Sequence, residues 1–392
     1  MIAPTLPPTL LPGALDGIRV VELASYISGP YAGMLMADFG ADVIKIETPD
    51  GGDPFRGWGS TDYNPIFGSV NRGKRSVTID LKTPDGIAEA RRLIATADVV
   101  IENFRTGVLD RLGLGYEELQ RCHPRLVYCS ITGFGNLGPY ATRPGYDTVG
   151  QAMGGLLSLL TDMATPDTMG ISLSDHLAGI TACLGVLAAL NARSSSGRGQ
   201  RVDTSLLEST IAFLAENAAR YFDDGSAPDR ATRTRLALVF AFVDGDGRPF
   251  VLHLSSPQKF WLGLLKVIDR PHWKADPRFA DRTARMANYD QLKAELAAIF
   301  GSRPRDHWLA LLEAEDVPCG PLYDLSEVFD DPQVKSLGMQ TTAPHPARGQ
   351  VSLIRSGVRM SETPPFIRAA APSLGEHNGE LLGDRAGKKA GG

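Results

Sequence analysis

Cysteine is scarce in this sequence, with four in 392 residues. Cys122, Cys129, Cys183 and Cys319 form no C-x-x-C and no Cys/His pair at zinc-ligand spacing. A disulfide framework and a structural zinc site are therefore excluded, no metal site is expected, and free thiols in a reducing cytoplasm are. An excess of one charge is missing too. Forty Lys+Arg stand against 45 Asp+Glu, which excludes a polybasic nucleic-acid binder and a disordered acidic tail. Long apolar runs are also absent. The most apolar of the long uncharged stretches, 177–192, is sixteen residues and contains Thr181 and Asn191, short of the ~18–20 that cross a bilayer. It reads as a buried core helix. The proline-broken N-terminus has no Lys or Arg before Arg19 and lacks the charged and apolar regions of a signal peptide. The expectation is a soluble, cytoplasmic protein with no membrane partner.

Glycine, by contrast, is abundant: 42 residues, about 11% against a usual share of about 7%. At roughly 150 residues per domain the length suggests two or three domains. Residues 18–23 read as a strand, 28–39 as a helix and 42–47 as a second strand, the pattern of a parallel βαβ crossover. The alternation continues with a strand at 76–81, a helix at 84–97, a strand at 98–102, a helix at 116–122 and a strand at 126–132. An α/β fold with a mainly parallel sheet follows. After a polar linker at 223–233 the texture changes. Strands at 238–243 and 250–254 flank Asp244-Gly245-Asp246-Gly247, a hairpin signal, and helices follow near 257–267, 288–300 and 304–315. The expected organisation is a large domain of residues 1–225 and 326–392 with a smaller α+β domain, 226–325, between.

The turn Ser28-Gly29-Pro30-Tyr31-Ala32-Gly33 lacks the G-x-G-x-x-G of a dinucleotide site. No G-x-x-x-x-G-K-[ST] and no G-x-S-x-G is present, so P-loop and α/β-hydrolase chemistry are excluded. What remains is a set of glycines at predicted strand ends, including Gly133, Gly135, Gly138, Gly145, Gly154 and Gly155. There bare backbone can approach a ligand, and read alone the same residues are turns.

Several stretches in fixed order resemble one family. They include LDGIRVVELASYISGPYAGMLMADFGADVIKIE (15–47), NRGKRSVTIDLKTPDG (71–86), ENFRTGVLDRLGL (102–114), ITGFGNLGPY (131–140), GYDTVGQAMGG (145–155), SLSDHLAG (172–179) and GRGQRVDTSLLES (197–209). The chain is similar over 15–385 to the family III coenzyme A transferases, the group that includes formyl-CoA transferase and α-methylacyl-CoA racemase. The resemblance implies a discontinuous Rossmann-like large domain, a smaller α+β domain and an interlocked homodimer. It implies transfer of CoA from an acyl-CoA donor to a carboxylic acid through an aspartyl anhydride and thioester. CoA is then a substrate, and no prosthetic group is implied.

In the matching motif Asp175 stands where the family has its nucleophile. From the residues alone, an Asp just before an apolar-periodic helix is an N-cap. A carboxylate suits the implied chemistry, because a mixed anhydride splits one hard exchange into easier steps. The resemblance assigns Ile79 and Lys82 (in IDLK) to CoA contact, Asn103, Phe104 and Arg105 to the turn cradling pantetheine, and Arg111 to the adenine nucleotide. Tyr146 joins these CoA-contacting candidates. It also replaces the histidine of the racemase branch, and tyrosine is a poor base near neutral pH, so transfer is favoured over racemisation. Ile27 replaces the glutamine of the formyl-CoA branch, which suits a bulkier acid than formate. The glycine run of that branch is absent from Thr232–Leu238. Besides the racemase or isomerase, the other alternative is a non-catalytic acyl-CoA-binding protein. His176, next to Asp175, does not share its helix face and is expected to serve packing.

Overall fold

Six strands, Arg19–Leu23 (β1), Asp42–Glu47 (β2), Arg75–Thr78 (β3), Val99–Glu102 (β4), Val127–Thr132 (β5) and Arg201–Ser205 (β6), form one parallel sheet ordered β3-β2-β1-β4-β5-β6. The structure is a computed structural model that describes residues 13–58, 64–346 and 348–383. A parallel sheet needs crossover helices, which bury both faces. The side chains alternate accordingly. Val20, Val43, Val99, Val127 and Cys129 face the helices Ser28–Asp38 and Leu173–Ser196. Val21, Ile44, Val77, Val100 and Tyr128 face the helices Pro84–Ile94 and Tyr116–Cys122. The α/β reading with a mainly parallel sheet is thus what the chain adopts.

The chain divides into two compact units. The larger holds the residues up to 157, 168–215 and those from 337 on; the smaller holds 158–167 and 216–336. The divisions lie at 215/216 and 336/337, where the sequence reading set 225/226 and 325/326. The helix Ala215–Asp224, which starts at that first division, buries none of its residues.

In the smaller unit, Val239–Val243 (β7) and Pro249–His253 (β8) form the expected hairpin, and Cys319–Pro321 (β9) pairs antiparallel to β8. Asp244 closes the hairpin loop, its side chain accepting from the N–H groups of Asp246 and Arg248 at 2.8 and 2.7 Å. Phe240, Phe242, Phe250 and Phe300 pack with Trp261, Trp273 and Trp308 as its core.

The last part of the larger unit contains the antiparallel pair Gln340–His345 (β10) and Gly349–Ile354 (β11). The chain then returns to β3, where Asn378 accepts from the Thr78 N–H at 2.9 Å and donates to its hydroxyl at 2.8 Å.

The helix Leu173–Ser196 corrects one expectation. It is 24 residues long and, by length and composition, apolar enough to cross a membrane. It outruns the uncharged stretch because Arg193 in its last turn is buried against Asp98 at 2.9 Å. Ala178, Ala182, Cys183 and Val186 pack onto the sheet, as a core helix would. The other side is not buried: Ile180 is 48% and Leu184 66% exposed, and on the contacting helix Leu206–Phe213, Ile211 and Phe213 are exposed as well.

Candidate active site

In an open parallel sheet, ligands bind beyond the carboxyl ends of the strands, at the point where the strand order reverses. Here that point is between β1 and β4. A cavity of about 300 Å³ opens there, lined by Ser25 and Tyr26 after β1, Asn103–Thr106 after β4, Thr132 and Gly133 at β5, and Leu206 after β6. Arg143, Gly145 and Tyr146 from one loop and Asp175 from the long helix complete it. A Cβ on Gly133 would meet the Gly145 Cα at 2.8 Å, so the two loops approach here backbone to backbone.

Asp175 lies in the first helical turn, behind an N-cap residue that is Ser172. It is therefore not the cap that the residues alone suggest. The positive helix end favours a carboxylate at this place, yet the Asp175 pKa is pushed up to about 7. Burial is the larger cause and the neighbouring Asp147 carboxylate the second. Asp147 is held in turn by Gln151, whose amide donates to it at 2.5 Å and to the Ile171 carbonyl at 2.9 Å. His176 bonds through Nδ1 to the Ser172 carbonyl at 2.6 Å and meets the Tyr31 ring edge-on at 4.7 Å.

Tyr26, also in the lining, has a left-handed conformation, φ 64°, which costs a non-glycine residue about 1 kcal/mol or more. The conformation is imposed from below. The Tyr26 N–H donates to Asp53 at 3.2 Å, and Asp53 pairs with the wholly buried Lys45 at 2.9 Å. Lys45 also reaches Glu22 at 2.9 Å and the Ala24 carbonyl at 2.6 Å, while Glu22 pairs with Lys74 at 2.7 Å. Burial works against the charge of Lys45, but Glu22, Asp53 and Glu47 together lift its pKa above the ordinary lysine value. Held in this way, the Tyr26 ring stands edge-on to Tyr146 at 6.0 Å and to Phe55 at 5.5 Å.

The structure brings together Asp175, Asn103, Phe104, Arg105 and Tyr146 around one cavity. It does not bring in Ile79, Lys82 or Arg111. The Ile79 side chain is 4% exposed and belongs to the core beside Val77. Lys82 and Arg111 are exposed outside the cavity lining. Ile27 also turns away, packing with Phe55 and Phe67, so it gives the cavity no apolar wall. Asn103 uses its amide within the chain, accepting from Ser25 N–H at 2.9 Å and donating to the Ser25 carbonyl at 2.8 Å. It thereby ties the ends of β1 and β4 together. The Phe104 N–H donates to Glu102 at 2.8 Å, a carboxyl that burial lifts to about 7. Sequence reasoning missed Tyr26 and Arg143.

A desolvated carboxyl in a cleft that carries arginines defines an enzyme site suited to covalent catalysis on an anionic substrate. The comparisons narrow that class. The chain matches the description of CoA-transferase family III over residues 15–378. It is 35% identical over 385 residues to the succinyl-CoA–D-citramalate CoA-transferase of Chloroflexus aurantiacus, covering 96% of this chain and 95% of that protein. It is 36% identical over 387 residues to the succinate–glutarate CoA-transferase of Agrobacterium fabrum, covering 94% and 95%. A solved CAIB/BAIF family protein from Brucella suis superimposes with a TM-score of 0.84 at 37% identity, covering 95% of this chain and 99% of that one. The chain belongs to CoA-transferase family III.

Proposed function

We propose that the protein moves CoA from the thioester of a dicarboxylic acid to a second carboxylic acid, with Asp175 as nucleophile. The observation that carries this reading is the Asp175 carboxyl, lining a cavity at the strand ends with a pKa raised to about 7. Near neutral pH part of this group is the carboxylate, and its poor solvation favours attack on a thioester. The two relatives support the acid class, since their names specify succinyl-CoA with D-citramalate and succinate with glutarate.

The exchange balances without an outside reagent. Asp175 attacks the thioester carbonyl, forming a C–O bond and expelling CoA as thiolate. The thiolate attacks the Asp175 carbonyl carbon, breaks the anhydride and frees the donor acid, leaving an aspartyl-CoA thioester. The acceptor carboxylate attacks the same carbon and again expels the thiolate. The thiolate then takes the acceptor acyl group and returns Asp175 as carboxylate. Backbone N–H groups of the glycine-lined wall, Gly133 and Gly145, are suited to stabilise the oxyanions. The racemase alternative is disfavoured because Tyr146 stands where it needs a histidine. The non-catalytic alternative is disfavoured by the placement of Asp175 in the cavity.

The test is to incubate the enzyme with succinyl-CoA, trap with hydroxylamine or borohydride, and map the peptides by mass. The modification is expected on Asp175. Transfer at the native rate by Asp175→Ala sinks the assignment, and deuterium entering the acyl α-carbon without an acceptor acid favours the isomerase.

Residence in a reducing cytoplasm, supported by the four free cysteines, and assembly as a homodimer belong to the same proposal. The exposed apolar side chains of Ile180, Leu184, Ile211 and Phe213 support a second copy as their cover. Sedimentation at micromolar concentration as a monomer sinks the dimer.

A further inference from the structure

Arg143 lines the same cavity as Asp175 and makes no ion pair among the described residues. Its guanidinium lies over the Tyr140 ring, 4.6 Å from the centroid, and 5.6 Å from that of Phe134. Its backbone N–H donates to the Tyr140 carbonyl at 2.9 Å. Stacking on aromatic rings occupies the flat faces of a guanidinium and leaves its N–H edge for a planar anion. Asp175 is the sole acidic residue of the lining, so no carboxylate of the chain competes for that edge within the cavity.

We propose that Arg143 is a specificity residue, holding the second carboxylate of a dicarboxylic acyl group while Asp175 attacks the thioester carbon of the same group. The assignment rests on the transferase reading above and names the residue that selects its substrate. Reach decides between the two anions a CoA ester can offer. Arg143 and Asp175 line one cavity of about 300 Å³, at the small end of ligand sites. The second carboxylate of a short dicarboxylic acyl group stays in that cavity while its thioester carbon is attacked. The nearest CoA phosphate is separated from the thioester by the whole pantetheine arm.

The test compares acids of equal length. Wild type, Arg143→Gln and Arg143→Lys are assayed as CoA acceptor reactions with succinate against butyrate and glutarate against valerate. Wild type is expected to favour the dicarboxylates. In Arg143→Gln the kcat/KM ratio of glutarate over valerate should fall about tenfold or more, the loss typical of one charge-assisted contact, chiefly through KM. Arg143→Lys should restore part of the ratio, since it keeps the charge but not the fork. Equal losses for both acids in each pair point to a CoA phosphate or a structural role and overturn the proposal. So does an unchanged ratio, or a wild type without preference for the second carboxylate. A wild type that transfers CoA between no pair of acids instead overturns the transferase reading itself.

Discussion

The backbone N–H of Asp175 donates to Oδ1 of Asp147 at 3.1 Å, so the carboxyl that anchors the start of the long helix is also the like charge beside the nucleophile. One residue thereby positions Asp175 and adds to the rise in pKa that burial chiefly causes. Gln151 prevents Asp147 from relaxing away, holding its other oxygen at 2.5 Å.

The pH dependence follows from this pair. Asp175 attacks as the carboxylate, and its pKa is raised to about 7. The kcat/KM for acyl-CoA should therefore rise with pH through about 7, since this parameter reports the free enzyme. Asp147→Asn retains an oxygen for the Asp175 N–H and removes the charge, so the rising limb should move to lower pH. Profiles between pH 5.5 and 8.5 for the two enzymes check this, and a flat wild-type profile contradicts it.

Stability should respond in the opposite sense. A carboxyl whose folded pKa of about 7 lies above its ordinary 3.8 costs nothing while both states are protonated. The cost grows as pH climbs through that window and is complete above about 7. Asp175→Asn removes the charge with little change of shape. It should stabilise the fold by about 1–3 kcal/mol at pH 8, the linkage value reduced for solvent access, and by less at pH 5. Urea midpoints at the two pH values measure it, in a variant whose turnover should fall by about a thousandfold or more.

Asn103→Ala should separate the ends of β1 and β4. It removes both amide contacts to Ser25, worth about 1–3 kcal/mol together. The wall carrying Tyr26 should loosen, and KM for acyl-CoA should rise several-fold with a smaller change in kcat. Steady-state kinetics with thermal melts separates the two effects.

Gly133→Ala forces a Cβ to within 2.8 Å of the Gly145 Cα. Backbone, not a flexible side chain, must give way, at a cost of about 1–3 kcal/mol. Activity should fall by more than Tm suggests, because the displaced strand end is part of the cavity.

Lys45→Met leaves the buried Asp53 without its ion-pair partner, while Glu22 keeps Lys74, a loss of about 3–5 kcal/mol. With Asp53 released, Tyr26 should leave its left-handed conformation. Urea denaturation reads the first effect, and the kcat/KM of the folded variant at low temperature reads the second.

The parallel sheet was legible because its inner strands are apolar on both faces. β6 was not read as a strand, since Arg201 and Asp203 on an edge leave it no apolar run. Ile79 shows a signal that was present and outweighed: two residues after Val77, it shares the core face of that strand. Asp175 was legible through the resemblance alone, because its isolated pattern is that of a helix cap. Tyr26 had no local sign, since a left-handed tyrosine follows from Lys45 and Asp53, which are distant in sequence. Arg143 sits in a polar loop without periodicity, and the rings beneath it and the cavity beside it give it meaning.

The return of Asn378 to Thr78 spans 300 residues. Loop closure of that length is slow and is rewarded only when the partner has been synthesised. The large unit therefore completes itself only once residue 378 has been synthesised, whereas the smaller unit can collapse earlier around its aromatic core. During that interval β3 presents an unpaired edge, a template for other chains. Truncation before residue 369 should make the delay permanent, yielding protein that aggregates on refolding although every residue of the cavity is still encoded.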